Sequence, residues 1–206
     1  MTAHNPTLGH NRVSRVSTDQ VRAPWVLYLD GTALTVRGAR SQDLPGVALM
    51  HGRCSPKTLL DRYRTGGRPP AIIVLDRHVR DTLSFVVSTD NNRIVATGRV
   101  APDADHAFGS GEVNLLVEDQ WQHIGIGRAL LRHCAAAAAL TGYRQLIAYP
   151  GTTAATVQRL MAGIGTTRLM TDIQRHLHTA LPETAKLGLG HFSEGGAAAR
   201  AVGALG

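Results

Sequence analysis

The chain has 206 residues, of which 43% are hydrophobic and only 4% are aromatic. At roughly 150 residues per domain, this length predicts one domain with appendages, large enough to bury a core without disulfides. No apolar run approaches the roughly 18 residues of a membrane span, and the N-terminus lacks the apolar centre of a signal peptide. The two cysteines, Cys54 and Cys134, exclude a disulfide framework and a four-cysteine zinc site. We therefore expect a reduced, cytoplasmic protein without membrane contact and without a metal.

The charge is strongly basic and is carried by arginine. The net charge is +7, from 22 Lys and Arg against 15 Asp and Glu, and Lys57 and Lys186 are the only lysines. Guanidinium groups match the geometry of phosphate oxygens, so this balance is compatible with a phosphate-bearing ligand. Because aromatic residues are not interleaved with the arginines, the charge does not predict a nucleic-acid surface.

Three segments differ in composition. Residues 1–32 are polar and mixed and are interpreted as an N-terminal extension, whose end at Trp25–Leu29 could add a short strand or an arm in a homodimer. Residues 33–181 form the predicted domain. Residues 182–206 thin into Gly195–Ala199 and hold too few apolar side chains to offset the entropy of ordering, which predicts a flexible tail.

The first part of the domain predicts a strand and two helices. Leu34–Arg37 alternates in polarity, as a half-buried strand does. Asp43 is placed to cap a helix that runs through Met50. Ser55, followed by a proline at the first helical position, predicts the start of a second, short helix.

Three strands and a long helix follow in the predicted order. The strands are Thr82–Ser88, Arg93–Val100 and Glu112–Val117. From Ile126 the apolar residues recur with helical spacing, and Gly142 marks the end of that helix.

The last predicted elements are a strand, a helix and a strand region. Leu146–Tyr149 is a compact strand, a helix capped by Thr152 or Thr153 runs through Ile164, and the strand region extends from Leu169 to Leu177. This order contains too few β-α-β units for a doubly wound parallel sheet. It predicts an α/β (α+β) domain with a mixed, mostly antiparallel sheet flanked by helices.

The most informative segment joins the strand Glu112–Val117 to the helix that starts at Ile126. The first helical turn has backbone N–H groups without partners and the positive end of the helix dipole. Gly125 and Gly127 let an anion approach these amides without meeting a Cβ atom, and a pyrophosphate is the natural occupant. Two glycines at a helix start are also common for packing alone. The Gly-Lys-Ser/Thr ending of a Walker loop is absent, and the next strand lacks the acidic residue of a dinucleotide-binding fold.

The pattern Gln122-x-x-Gly125-x-Gly127, followed by Arg128-Ala129-Leu130-Leu131, resembles the acyl-coenzyme A signature of the GNAT superfamily of N-acetyltransferases. The order of elements from about Ala33 to Leu181 matches that fold. The strand and turn Glu112–Gln122 are also similar to those of bacterial protein lysine acetyltransferases. The resemblance implies a single GNAT-like domain that uses acetyl-CoA as cosubstrate and transfers its acetyl group directly to a primary amine.

The resemblance also implies where the cosubstrate binds. In that family the pyrophosphate rests on the amides of the glycine-rich turn, and the pantetheine arm pairs with the end of the preceding strand. The residues to which these roles carry over are Leu115, Leu116, Val117, Gln122, His123, Ile124, Gly125, Ile126, Gly127, Arg128 and Ala129. A backbone N–H near Leu115 or Leu116 could polarise the thioester carbonyl.

Two residues are implied to be catalytic. A lysine-like amine has a pKa of about 10.4, so its deprotonation at pH 7 costs about 4.6 kcal/mol, and a nearby carboxylate lowers this cost as a general base. Glu112 stands where the similar lysine acetyltransferases have that base; the alternative is an exposed glutamate on the strand. Tyr149 ends the next strand and could protonate the leaving thiolate; the alternative is packing. Arg62 could attract the cofactor or an acidic acceptor.

The sequence departs from many GNAT enzymes in the helix after that strand. Ala154 and Val157 stand where an asparagine for the cofactor and a tyrosine acid are often found. This departure is the main support for a different class, a non-catalytic acyl-coenzyme A-binding regulatory module. A nucleotide-binding protein of another fold is also open. Within the enzyme class, the acceptor is open between a protein lysine and a small amine or amino acid.

Other residues with reactive or metal-binding side chains are given ordinary roles. Cys134 lies on the apolar face of the predicted cofactor helix and is expected in the core. His176 and His178 share one strand face without a third ligand nearby in sequence, so we expect exposed histidines and not a metal site.

Overall fold

The computed structural model describes residues 18–63, 82–103, 109–150, 154–171, 175–182 and 200–201. Most of the predicted extension and tail therefore lies outside the described residues, as do the predicted helix caps Thr152 and Thr153.

The described strands form one sheet. Their bounds are β1 Trp25–Leu29, β2 Thr32–Gly38, β3 Leu83–Ser88, β4 Ile94–Pro102, β5 Ser110–Val117, β6 Gln145–Ala148, β7 Thr167–Thr171, β8 Arg175–Ala180 and the two-residue β9 Arg200–Ala201. Their order is β7-β8-β6-β5-β4-β3-β2-β1-β9. The pairs β5–β6 and β1–β9 are parallel and the others are antiparallel. The predicted mixed, mostly antiparallel sheet is confirmed.

Helices cover both faces of this sheet. Their bounds are α1 Thr18–Arg22, α2 Leu44–Arg53, α3 Pro56–Arg62, α4 Ile126–Leu140 and α5 Ala154–Ala162. Helices α2 and α3 pack on β4 and β5 from one side, whereas α4 lies across β3, β4 and β5 on the other side and contacts α5. In the described part of the chain, no helix has the length and hydropathy that crossing a bilayer requires.

Each face of the sheet has its own apolar cluster. Because strand side chains alternate between faces, Val113 of β5 joins the cluster under α4 and Leu116 joins the cluster under α2 and α3. Cys134 lies on the face of α4 that packs on the sheet. It is fully buried, as predicted for a core residue, and burial raises the pKa of its thiol. Gly98 of β4 lies against it: a Cβ atom at this position would be 2.9 Å from Cys134 Sγ. The close approach of α4 to the sheet therefore requires a glycine in β4.

The sheet begins before the predicted domain boundary at residue 33. Trp25–Leu29 forms a hairpin with β2, which the sequence allowed as a short strand. Val21 and Trp25 are buried in the cluster under α4, and the Trp25 indole N–H donates to His133 Nδ1 at 3.1 Å. Val21 and Trp25 are therefore part of the core, although they precede residue 33.

Two of the three predicted helix-boundary residues that the structure describes have the predicted role, and one does not. Ser55 caps α3 by accepting a hydrogen bond from the Thr58 N–H, and Gly142 follows α4 with φ of +101°, both as predicted. Asp43 precedes α2, but its side chain does not cap it. Its carboxylate instead accepts two hydrogen bonds from Arg37, each 2.7 Å long. A charged partner in the neighbouring strand outcompetes the helix amides for this carboxylate.

The C-terminal strand region also differs from the prediction. The sequence indicated one strand region from Leu169 to Leu177, whereas the structure has two antiparallel strands, β7 and β8, paired from Thr167 with Thr179 to Thr171 with Arg175. Polarity alternates along both arms of a hairpin, so the pattern alone does not show where the chain reverses.

Candidate active site

The two central parallel strands separate part-way along their length. β5 and β6 pair at Ser110 with Gln145, Gly111 with Leu146 and Glu112 with Ile147, and pairing ends there. Beyond this point β5 stays with β4 as far as Val117, and β6 stays with β8 through Ala148. The separation that the sequence reasoning required between these strands is therefore present.

A cavity of about 380 Å³ occupies this opening. Its walls come from α3, the second half of β5, the turn after β5, the first turns of α4, the end of β6, and α5. The predicted site residues that line it are Leu115, Leu116, Val117, Gln122, His123, Gly127 and Tyr149. Glu112 and the other turn residues are placed around it and not in its wall.

The peptide groups of β5 alternate between β4 and the opening. The Glu118 N–H donates to the Val95 carbonyl at 2.9 Å, so the even-numbered residues of β5 bond to β4 and the odd-numbered ones face the other way. Of the two residues predicted to offer an N–H to a thioester, Leu115 therefore faces the opening. Leu116 faces β4, and its side chain is buried under α2 and α3.

The turn after β5 is shaped by left-handed residues and by one amide side chain. His123 and Gly125 have φ of +67° and +102°. The Gln122 side chain donates to the Val117 carbonyl at 2.9 Å and to Thr58 Oγ1 at 3.2 Å, which ties the turn to both β5 and α3. The conformation at Gly125 strains any residue with a Cβ atom, which gives the first glycine of the pattern a structural reason.

The first turn of α4 presents free backbone donors. The Ala129 N–H closes the first helical hydrogen bond, to the Gly125 carbonyl at 3.0 Å, so the amides of Ile126, Gly127 and Arg128 precede the helical ladder. The predicted contribution of the Ala129 amide is therefore not available, because that N–H is already used. A Cβ atom at Gly127 would meet only Val117 Cγ2, at 4.0 Å, so the space in front of these amides is open. Ile124 packs against the core and Ile126 is buried in it, which leaves only their backbone to the site.

Two acidic residues next to the turn have structural partners that the sequence did not reveal. Glu118 is buried and forms ion pairs with Arg53 of α2 and with Arg93, which immediately precedes β4. Asp119 accepts hydrogen bonds from the backbone and hydroxyl of Ser55 and from the Thr58 hydroxyl. The turn is thereby fastened to α2 and α3. Neither pattern was recognisable in sequence, because the partners lie far away along the chain.

Glu112 is the last β5 residue paired with β6, so its half-buried side chain stands where the opening begins. Its carboxylate accepts a hydrogen bond of 2.7 Å from the Asn114 side chain, and Asn114 Oδ1 accepts one of 3.0 Å from Arg62. These three side chains share the face of the sheet on which α3 lies. The sequence predicted the position of Glu112 but not this connection to α3.

Tyr149 lines the cavity at the end of β6, and its hydroxyl donates to Asp103 Oδ2 at 3.0 Å. Its ring packs against His176, which is buried and not exposed as predicted. His176 also packs on His178, with ring centroids 4.7 Å apart. The prediction that His176 is exposed failed because the Tyr149 ring, at the end of β6, covers it. Among the described residues, no group of three His, Cys, Asp or Glu side chains could hold a metal ion.

Residues 81–161, which contain the opening, the turn and α4, match the sequence profile of the Acetyltransferase (GNAT) domain. This segment is therefore similar to the GNAT superfamily of acetyltransferases, and the profile match confirms the resemblance that the glycine-rich turn indicated. No curated protein matches the chain.

Solved structures agree with the GNAT fold. The chain is similar to the GNAT domain of PAT from S. lividans, with a TM-score of 0.66, 22% identity and coverage of 77% of this chain and 97% of that domain. It is also similar to a GNAT phosphinothricin acetyltransferase from Sinorhizobium meliloti in complex with AcCoA, with a TM-score of 0.58, 17% identity and coverage of 74% and 91%. A third similar structure is the PaiA N-acetyltransferase from Thermoplasma acidophilum in complex with coenzyme A, with a TM-score of 0.57, 13% identity and coverage of 72% and 99%.

Proposed function

We propose that this chain is an acetyl-CoA-dependent N-acetyltransferase that transfers the acetyl group directly to a primary amine. The observation that carries the proposal is the parting of β5 from β6 at Glu112 and Ile147, which opens a cavity next to the free amides of α4. A diphosphate at a helix start and an extended arm in a gap between strands are what such a shape accommodates. Two free, buried cysteines fit the accompanying proposal of a reducing, cytoplasmic location.

The residues of the turn fit the diphosphate of this cosubstrate. The amides of Ile126, Gly127 and Arg128 would donate to its oxygens, and the exposed Arg128 side chain would add a charged partner. The extended arm would lie along β5, where the peptide groups of Leu115 and Val117 face the opening. The Gln122 side chain already holds the Val117 carbonyl, so the Val117 N–H and the Leu115 carbonyl would supply the backbone hydrogen bonds to the arm.

When bound, the cosubstrate supplies an acetyl group activated as a thioester. The neutral amine nitrogen attacks the carbonyl carbon, the C–N bond forms and the C–S bond breaks, and coenzyme A leaves as the thiolate. Glu112 would accept the proton that the amine loses, directly or through one water. The Leu115 N–H would stabilise the negative charge that develops on the carbonyl oxygen.

The thiolate can leave without help from α5. Ala154 begins that helix and Val157 lines the cavity, so neither offers a proton. Tyr149 is the candidate acid, but its hydroxyl donates to Asp103 and must leave this partner before it can protonate sulfur. A thiol pKa of about 8.5 makes the thiolate a tolerable leaving group even without an acid.

Two kinds of acceptor amine are candidates. The resemblance of Glu112–Gln122 to bacterial protein lysine acetyltransferases favours a protein lysine, and the similarity in fold to PAT from S. lividans is compatible with it. A small amine is the second candidate. It is favoured by two half-buried arginines near Glu112, which are Arg62 and Arg99.

Ligand-dependent thermal unfolding of the full chain tests the cosubstrate. We expect acetyl-CoA and coenzyme A to raise the unfolding temperature and ATP and NAD to have no comparable effect. Protection by ATP or NAD alone would instead support a nucleotide-binding protein.

The variant Glu112→Gln distinguishes an acetyltransferase from a protein that only binds acetyl-CoA. We expect this variant to keep acetyl-CoA protection and to lose about 100-fold or more in amine acetylation, the effect of removing a general base. Asp90→Asn makes the same chemical change in the exposed β3–β4 turn and should leave the rate unaltered. Protection by acetyl-CoA without any acetylation by the wild type would identify a binding module.

A further inference from the structure

Two arginines, Arg62 and Arg99, lie near the single carboxylate of Glu112, which attracts both. Arg99 of β4 is the cross-strand partner of Asn114, so its side chain is on the same face of the sheet as Glu112 and Arg62. Both arginines are half-buried, and burial lowers the pKa of each, against the attraction of Glu112. This face of the site therefore holds one more positive than negative charge, counted over these three side chains.

The positive groups have few partners in the described part of the chain. Arg62 makes one side-chain hydrogen bond there, to the neutral Asn114, and its guanidinium lies 4.6 Å from the centre of the Tyr63 ring. The Arg99 side chain makes no hydrogen bond or ion pair with any described residue, and its Nε atom is buried without a partner. Burying a guanidinium without a counter-charge is costly, so an anion bound here would be stabilising.

Distance argues against the cosubstrate diphosphate as this anion. Arg99 pairs with Asn114, whereas the turn that would hold the diphosphate begins only after Val117. At about 3.3 Å per strand residue, Asn114 lies about 10 Å from the end of β5. The nearer reacting group is the acceptor amine at Glu112. The arginines are therefore placed to bind the acceptor.

We propose that the acceptor is an amino acid, a small molecule whose carboxylate binds Arg62 and Arg99 while its primary amine faces Glu112. This inference rests on the proposed N-acetyltransferase function and narrows its substrate class. The reaction would form an amide at the amine nitrogen and release coenzyme A, with the amine proton passing to Glu112 or water. The carboxylate takes no part in bond making.

The spacing favours a small molecule over a lysine side chain. Asn114 is two residues from Glu112 on β5, about 7 Å along the strand, and Arg99 stands directly across from Asn114. The single side-chain amide of Asn114 bridges the Glu112 carboxylate and the Arg62 guanidinium, so a carboxylate at the arginines and an amine at Glu112 are only a few bonds apart, as in an amino acid. A lysine in a protein carries its amine on a long aliphatic arm, with no carboxylate next to it.

The experiment measures coenzyme A release by the full chain with amino acids and with matched amines that lack the carboxylate. The panel holds the common L-amino acids and β-alanine, their decarboxylated amines and a lysine peptide. We expect kcat/KM at least tenfold higher for one or more amino acids than for the matched amines, which is the effect of a charge-assisted hydrogen bond. Arg99→Gln should raise KM for the preferred amino acid at least tenfold with little change in kcat. Its effect on the reaction with the matched amine, which has no carboxylate, should be much smaller.

Arg132→Gln is the matched control, because it removes an exposed guanidinium on α4 far from this cluster. Arg99→Lys keeps the charge and should recover part of the affinity. Acetyl-CoA protection of each variant shows that it is folded and binds the cosubstrate.

Equal rates for amino acids, matched amines and the lysine peptide, or no response to Arg99→Gln, would overturn this inference and leave the proposed function intact. If acetyl-CoA does not bind, both this inference and the proposed function are wrong. If no amine is acetylated, titration of the amino acids into coenzyme A-saturated protein decides, and absence of binding overturns the inference.

Discussion

The backbone N–H and the hydroxyl of Ser55 both donate to the carboxylate of Asp119, at 2.8 and 2.6 Å. Ser55 is also the cap of α3, so one residue fastens the start of that helix to the turn that leads into α4. The turn with the free amides is thereby held by contacts that lie outside the cavity. Its shape is prepared before any ligand arrives.

Replacing Asp119 with asparagine should loosen this connection. Partial burial alone would raise the pKa of Asp119, but the hydrogen bonds from Ser55 and Thr58 hold it below the ordinary aspartate value. A lowered pKa contributes stability that is present above the unfolded value of about 4 and is lost as the pH falls through the folded value. Because Asp119 is exposed, we expect Asp119→Asn to cost at most about 1 kcal/mol of unfolding free energy at neutral pH, and much less in acid once the pH falls below the lowered pKa. Unfolding curves over this pH range, with Asp90→Asn as control, check it; a difference that persists unchanged in acid would contradict the assignment.

Gly127→Ala should separate stability from binding. The added Cβ atom meets only Val117 Cγ2 at 4.0 Å, so the fold has room for it, and alanine favours a helix over glycine by up to about 1 kcal/mol. The same methyl group enters the space in front of the α4 amides. We expect an unchanged or higher unfolding temperature without ligand and weaker acetyl-CoA binding by calorimetry. Unaltered affinity would mean that the diphosphate does not approach Gly127.

Gly98→Ala should destabilise the core. Its Cβ atom would lie 2.9 Å from both Cys134 Sγ and Leu130 Cγ, so α4 or β4 must move. Overpacking of this kind costs about 1–3 kcal/mol, and denaturant unfolding measures it. Gly52→Ala in α2 is the matched control, since no atom lies within 4 Å of the added carbon. Equal stability of the two variants would show that α4 does not contact β4 this closely.

Tyr149→Phe should have only a modest effect on turnover. The hydroxyl donates to Asp103, and a thiolate with a conjugate-acid pKa of about 8.5 can leave unprotonated. We expect kcat to fall less than tenfold while KM for acetyl-CoA stays the same, measured by coenzyme A release at several pH values. A larger loss, together with loss of an alkaline limb in the pH profile, would show that Tyr149 is the general acid.

The glycine-rich turn and the cofactor helix could be predicted because their signals are local. A helix start, its free amides and its end at Gly142 depend on residues within a turn or two of each other. The cap at Ser55 is local in the same way. Where a local signal competed with a distant partner, as at Asp43 and Arg37, the prediction failed.

The amino-acid pattern by itself determined the fold class, the resemblance to GNAT acetyltransferases and the glycine-rich turn before α4, since these follow from periodicity and short motifs. Only the tertiary structure decided that β5 leaves β6 at Glu112, that Leu115 and not Leu116 faces the gap, and that Arg62 and Arg99 lie on the same face of the sheet as Glu112. The physical reason is register. A shift of one residue between paired strands turns every side chain to the opposite face, and register is set by long-range contacts that no short stretch of sequence contains.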